Sequence, residues 1–158
     1  MSDHKIHLEP ESLVPILEAR RARGEQIVFA NGCFELLHVG HVRYLNGAKA
    51  LGDALIVAIN SDGSMARIKR QPIVPDHERY ELIAALEMVD YVVPLVENTP
   101  DSLLRMFRPE VHTKGTDYTV EKIPERHVVQ SYGGRIELVG DPKDHSTTEM
   151  IQVLRDRR

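Results

Sequence analysis

The chain carries 158 residues, 42% hydrophobic and 28% charged, with a net charge of −4. That is the profile of one globular domain large enough to bury a core, and its acidic balance excludes a nucleic-acid binder working by bulk electrostatics. The one cysteine, Cys33, permits no internal disulfide and fits a reducing cytoplasm, while the polar start lacks a signal core and no run approaches the roughly 20 apolar residues of a membrane span. The expectation is a single cytoplasmic domain over residues 1–158, opened by a helical extension over 1–25, with neither nucleic acid nor membrane as partner.

Residues 10–23 read as an opening helix with Leu13, Ile16, Leu17 and Ala19 as its apolar stripe, stopped by Gly24. A first strand covers 26–30, and a helix runs from His41 to about Gly52. Residues 54–60 are continuously apolar, as in a parallel strand covered on both faces. A loop over 61–74 leads to a helix over 75–88, with Pro75 near N1 and Asp76 and Glu78 suited to the helix dipole. A strand over 91–95 precedes a helix over 99–107, with Thr99 as N-cap and Pro100 at N1. Then come a short strand over 111–115, a helix near 125–132, a strand over 135–139 and a closing helix over 147–154 behind Ser146. Such alternation specifies an α/β fold with a doubly wound parallel sheet. Ligands of such sheets bind at the carboxyl ends of the strands, at the switch point.

The most informative stretch is Ala30-Asn31-Gly32-Cys33-Phe34-Glu35-Leu36-Leu37-His38-Val39-Gly40-His41. Two histidines, three residues apart around a glycine, stand where a strand turns into a helix. A helix start offers unpaired backbone N–H groups and the positive end of a dipole, a natural seat for phosphate, and imidazoles add donors to its oxygens. Alone, the pair is also compatible with core or surface histidines, or with a metal that finds further ligands in space. Cys33 reads as a packed small residue.

Other polar clusters fall at the same strand ends. Asn60-Ser61-Asp62-Gly63 is either a simple turn or a pocket wall. Arg67-Ile68-Lys69-Arg70 is basic within an acidic protein, either a solvated run or a set of mobile cations. Glu78-Arg79 fits a surface ion pair. Lys114-Gly115-Thr116-Asp117-Tyr118 fits a turn with a buried tyrosine, and Ser146 with Glu149 forms a capping box.

Gly32, Phe34, His38, Gly40 and His41 resemble the first signature, Gly-x-Phe-Asp-x-x-His-x-Gly-His, of the cytidylyltransferase-like branch of the nucleotidyltransferase superfamily, with Glu35 in place of the usual Asp. The likeness spans about residues 26–151. It implies a Rossmann-like nucleotidyltransferase fold in which His38, His41 and Lys69 are catalytic. Asn31, Gly32, Cys33, Phe34, Gly40, Arg79, Lys114, Gly115, Asp117, Tyr118, Ser146, Thr147 and Thr148 would hold the nucleotide, and Glu35, Asn60 and Asp62 would border the substrate. Within the family the chain is most similar to the adenylyltransferases acting on D-glycero-D-manno-heptose 1-phosphate in lipopolysaccharide core biosynthesis, through Asn-Gly-Cys-Phe, Lys-Gly-Thr-Asp-Tyr and Gly140-Asp141-Pro142-Lys143-Asp144-His145-Ser146-Thr147-Thr148. In many of those a sugar kinase precedes the transferase. The short stretch before the first strand here implies the free-standing form.

The resemblance further implies ATP and a sugar 1-phosphate as substrates, Mg²⁺ accompanying ATP without identified protein ligands, and a homodimer or higher homo-oligomer. A phosphate nucleophile is already largely dianionic at pH 7, so no general base is required; the task is to bring two anions together with donors and cations. The histidines would donate to the triphosphate, and charge on them would be favoured beside it. Two rival readings stand beside this one: a cytidylyltransferase acting on glycerol 3-phosphate or another alcohol phosphate, and a nucleotide-binding module without turnover.

Overall fold

Strand β2 (Ala54–Asn60) is buried at every position, and this follows from its composition: a run with no polar side chain before Asn60 can only lie in the middle of a sheet covered on both faces. The computed structural model, which describes residues 2–141 and 147–157, places it there. β1 (Ile27–Gly32), β2, β3 (Tyr91–Leu95), β4 (Val111–Gly115) and β5 (Arg135–Val139) form a five-stranded sheet in the order β3-β2-β1-β4-β5. Every pairing is parallel.

The two-residue period of the strands divides the core. Ile27, Phe29, Ala54, Ile56 and Ala58 face one side and pack with α1 (Val14–Ala22), α5 (Asp101–Phe107) and α6 (Arg126–Ser131) through Leu17, Leu104, Phe107 and Val129. Val28, Ala30, Leu55, Val57 and Ile59 face the other and pack with α2 (Val39–Lys49) and α4 (Asp76–Ala84) through Leu45, Ala48, Ile83 and Ala84. Helices α3 (Asp62–Ile68) and α7 (Thr147–Asp156) complete the set. The doubly wound parallel sheet expected from the sequence is therefore the observed architecture. No helix of the described residues is long and apolar enough to cross a membrane.

Four strands keep their expected bounds, and Gly24, at φ 81°, ends the turn after α1 as anticipated. The expected opening helix begins as a 3-10 turn over Pro10–Leu13, and the helix expected over 75–88 ends at Ala84; four further differences have local causes. β1 runs two residues past Ala30, because Asn31 and Gly32 continue the ladder opposite Ala58 and Ile59. The expected loop over 61–74 begins with α3: the Ser61 hydroxyl accepts from the Ser64 N–H (3.2 Å), so a turn-forming sequence acts as a helix cap. Pro75 and Pro100 are themselves N-caps, one position before N1, and Thr99 lies outside α5. Helix α2 starts at Val39, so His38 is its N-cap and His41 lies in its first turn.

The chain winds outward from β1 through β2 to β3, then returns to lay β4 on the other side of β1. β1 and β4 pair only at Val28–Val111 and Phe29–His112. Beyond Phe29 the two strands have no ladder pairs, and a cleft opens at that switch point.

Candidate active site

A cleft of about 360 Å³ occupies this position. Asn31 to Glu35, the turn from His38 to His41, and Arg43 and Tyr44 of α2 form one wall. Lys69 follows α3, Lys114 to Thr116 and Tyr118 follow β4, Val139 to Asp141 follow β5, and Thr148 stands in the first turn of α7. The chain thus brings together residues separated by more than a hundred positions at the carboxyl ends of β1, β4 and β5.

The histidine pair is built by helix capping. His38 Nδ1 accepts from the Gly40 N–H (3.1 Å), and His41 Nδ1 accepts from the His38 N–H (3.3 Å). Two amides without intrahelical partners are thereby satisfied. The rings lie 4.0 Å apart at 31°, and the His41 ring meets that of Phe34 at 5.5 Å. Phe34, at φ 49°, is buried and turns the chain between β1 and Glu35. Gly40 has a steric reason: a Cβ there would stand 2.8 Å from His38 Cε1 and 2.9 Å from its Nδ1. Because both Nδ1 atoms accept, each neutral ring carries its hydrogen on Nε2. A proton added at Nδ1 would set N–H against N–H. In this geometry each neutral ring presents its Nε2–H in an orientation fixed by the cap.

The cleft's cations differ in how they are engaged. Arg43 pairs with Asp141 at 2.7 Å, and Lys114 with Glu125 at 3.0 Å while lying over the Tyr118 ring. Lys69 is exposed, and no acid among the described residues pairs with it. Behind Lys114, His112 is fully buried and shares the same Glu125 oxygen at 3.0 Å. Burial alone would raise the Glu125 carboxyl, but the His112 hydrogen bond and the Lys114 charge outweigh it and hold it at about 2. Burial lowers His112 below its ordinary value, keeping that imidazole neutral.

Several expected site residues are engaged elsewhere. Arg79, expected at the nucleotide, is fully buried: its guanidinium donates to the carbonyls of Val74 (3.0 Å), Cys33 (2.7 Å) and Asn60 (2.7 Å) and pairs with Asp62 (2.9 Å). It staples the ends of β1 and β2 together and does not line the cleft. Asn60, expected at the substrate, donates to the Ser64 hydroxyl (3.0 Å), and Asp62 is occupied by Arg79. Glu35 borders the cleft, but its carboxylate is engaged by the Ile73 and Val74 amides and by Arg70. Burial opposes the charge on Glu35, but those hydrogen bonds and Arg70 lower its pKa. Asp117 sits on the exposed turn beside the wall. Cys33 lines the cleft, and burial raises its thiol above the ordinary value. Ser146 lies outside the described residues, as does the side chain of Thr147.

Asn31 Oδ1 is buried without a hydrogen-bond partner among the described residues, an acceptor at the cleft floor. The structure adds Arg43, Tyr44, Thr116, Val139, Gly140 and Asp141 to the wall. Tyr44 was accessible from sequence, since it follows His41 by three residues on one helical face; its hydroxyl donates to the Thr113 carbonyl at 3.0 Å. No group of three His, Cys, Asp or Glu among the described residues has metal-ligand geometry.

Two outcomes are expected. Gly40→Ala should displace the His38 ring; helix propensity returns up to about 1 kcal/mol, so the melting temperature should change little, while the affinity of any anion seated on the histidine pair, read by calorimetry with pyrophosphate as probe, should fall about tenfold, the equivalent of one hydrogen bond. His112 and Glu125 both titrate below their ordinary values of 6.5 and 4.5, so the folded state binds each proton more weakly than the unfolded chain. Their stabilisation is whole above pH 6.5, starts to fall below it, and is lost further as pH drops from 4.5 towards 2. Urea titrations at stepped pH should show this, and Glu125→Gln should flatten the lower part of the curve.

Residues 29–153 match the family model described as cytidylyltransferase-like. The chain is 47% identical over 157 residues to the bifunctional protein HldE of Syntrophotalea carbinolica, covering 98% of this chain and 32% of that protein. Against the bifunctional protein HldE of Pseudomonas aeruginosa it is 44% identical over 149 residues, covering 93% of this chain and 32% of that one. It therefore spans about a third of the length of the curated relatives it matches. The crystal structure of the lipopolysaccharide core biosynthesis protein from Thermoplasma volcanium superposes with a TM-score of 0.65 at 27% identity, over 75% of this chain and all of that one. Sequence, fold and the histidine-capped cleft agree, and this chain belongs to the cytidylyltransferase-like family.

Proposed function

We propose that this domain transfers AMP from ATP to D-glycero-D-manno-heptose 1-phosphate, giving ADP-heptose and pyrophosphate. The observation that carries the reading is the pair of Nε2–H donors, fixed by backbone capping at a helix N-terminus, in the switch-point cleft. A phosphate oxygen of the sugar attacks the α-phosphorus, a P–O bond forms, and the bond to the bridging oxygen breaks, its electron pair leaving with pyrophosphate. His38 and His41 donate to the oxygens on which charge gathers, without reorganising when it arrives. Lys69, with which no acid among the described residues pairs, adds its charge from the segment after α3. Asn31 offers its acceptor, and Lys114 and Tyr118 form the far wall.

Magnesium belongs to the substrate in this reading. The described residues form no cage for it, and triphosphate oxygens with water supply its ligands. The narrower choice of sugar rests on the Lys114-to-Tyr118 and Gly140-to-Thr148 sequence segments, on the bifunctional relatives of which this chain covers a third, and on the likeness to the Thermoplasma lipopolysaccharide core biosynthesis protein. A cytoplasmic site of action, where ATP is made, and a homodimer or higher homo-oligomer complete the proposal.

Pyrophosphate release with Mg²⁺ and the heptose 1-phosphate should be strong with ATP and weak with CTP. His41→Ala should keep the fold and lose turnover by about 100- to 1,000-fold, the usual effect of removing one preorganised donor. Release with CTP and glycerol 3-phosphate instead would transfer the chain to the alcohol-phosphate cytidylyltransferases, and nucleotide binding without release would make it a non-catalytic module.

A further inference from the structure

We propose that Glu35 is a positioning residue that latches segment 69–74 onto the β1–α2 turn and so sets Lys69 opposite the histidine pair. Glu35 is only 3% exposed, and a carboxylate so buried is costly unless its charge is answered. All its described partners come from that one segment, nearly forty residues away. Oε1 accepts from the Ile73 and Val74 N–H groups, and Oε2 meets the Arg70 guanidinium at 2.5 Å. Little else holds these residues. Ile73 turns its apolar side chain outward, 60% exposed. The Lys69 and Arg70 N–H groups donate to the Met65 carbonyl at the end of α3 (2.9 and 3.2 Å), and Arg79 fixes only the far end, at the Val74 carbonyl.

The latch has a chemical purpose. Lys69 is exposed, and a cation that must meet a transferring phosphate gains from being placed beforehand. The turn that carries Glu35 also carries His38 and His41, so one element orients both the donors and the cation. The effect on turnover rests on the nucleotidyl-transfer reading, whereas the tether itself does not.

A double-mutant cycle with Lys69 separates this role from direct substrate contact. Glu35→Ala should lower kcat for pyrophosphate release by about 10- to 100-fold with little change in the KM of the sugar phosphate, by analogy with the cost of a small misplacement. In the Lys69→Ala background the same change should cost less than about twofold. Losses that multiply, or a rise confined to the sugar-phosphate KM, would overturn the proposal. Hydrogen exchange should show the Ile73 and Val74 amides losing protection in Glu35→Ala and keeping it in Lys69→Ala; unchanged protection in the former contradicts the latch. Should Glu35→Ala not fold, Glu35→Gln retains an acceptor and should give a smaller loss of both protection and kcat. If the wild type releases no pyrophosphate with any substrate, the functional reading falls and hydrogen exchange alone decides the latch.

Discussion

A helix that starts at the end of a strand has amide groups with no carbonyl to accept them, and everything at this site follows from how that deficit is met. Here the first turn of α2 is capped by two imidazoles in place of the usual hydroxyl or carboxylate. The choice has a chemical consequence. A serine cap would satisfy the amides and end there. An imidazole satisfies an amide with one nitrogen and presents an N–H with the other, so the cap converts a helix start into a pair of oriented donors. Gly40 is required by the same geometry, because any side chain at that position would occupy the space of the His38 ring.

The sheet supplies the second constraint. Reversal of winding direction at β1 leaves β1 and β4 paired over only two positions, so the donors stand at the edge of an opening and not against a neighbouring strand. Charge is then distributed sparingly. Arg70, Arg79, Lys114 and Arg43 each have an acidic partner, while Lys69 has none among the described residues. Within an acidic protein the cleft thus combines an exposed lysine, two histidine Nε2–H groups and a helix end. Glu125 has a parallel task on the opposite wall, where it fixes Lys114 from behind through a carboxylate shared with His112.

Much of the fold was legible because burial is written in runs and periods. The apolar stretches at 54–60 and 91–95 mark strands within a residue, and alternation of strand and helix dictates a parallel sheet. The histidine turn was legible because its elements are adjacent in sequence. What escaped were contacts between distant segments. Arg79 looks like a surface residue on a charged helix, and nothing local announces that three carbonyls and Asp62 will enclose it. Glu35 looks like a substitution in a motif, and its partners lie nearly forty residues on. Helix α3 was obscured because Asn-Ser-Asp-Gly serves equally as a turn and as a capped helix start, and only the burial of Ser64 and Met65 decides between them.

The central claim is that His38 and His41 are neutral Nε2–H donors to a triphosphate. Nitrogen-15 NMR of the histidine side chains, recorded with and without Mg·ATP, tests it most directly. The account predicts that both rings are Nε2–H tautomers in the free protein, that ATP shifts both Nε2–H signals and slows their exchange with water, and that the Nδ1 signals stay in place. Rings in the opposite tautomer, or Nε2–H signals that do not respond while ATP binds, would contradict it.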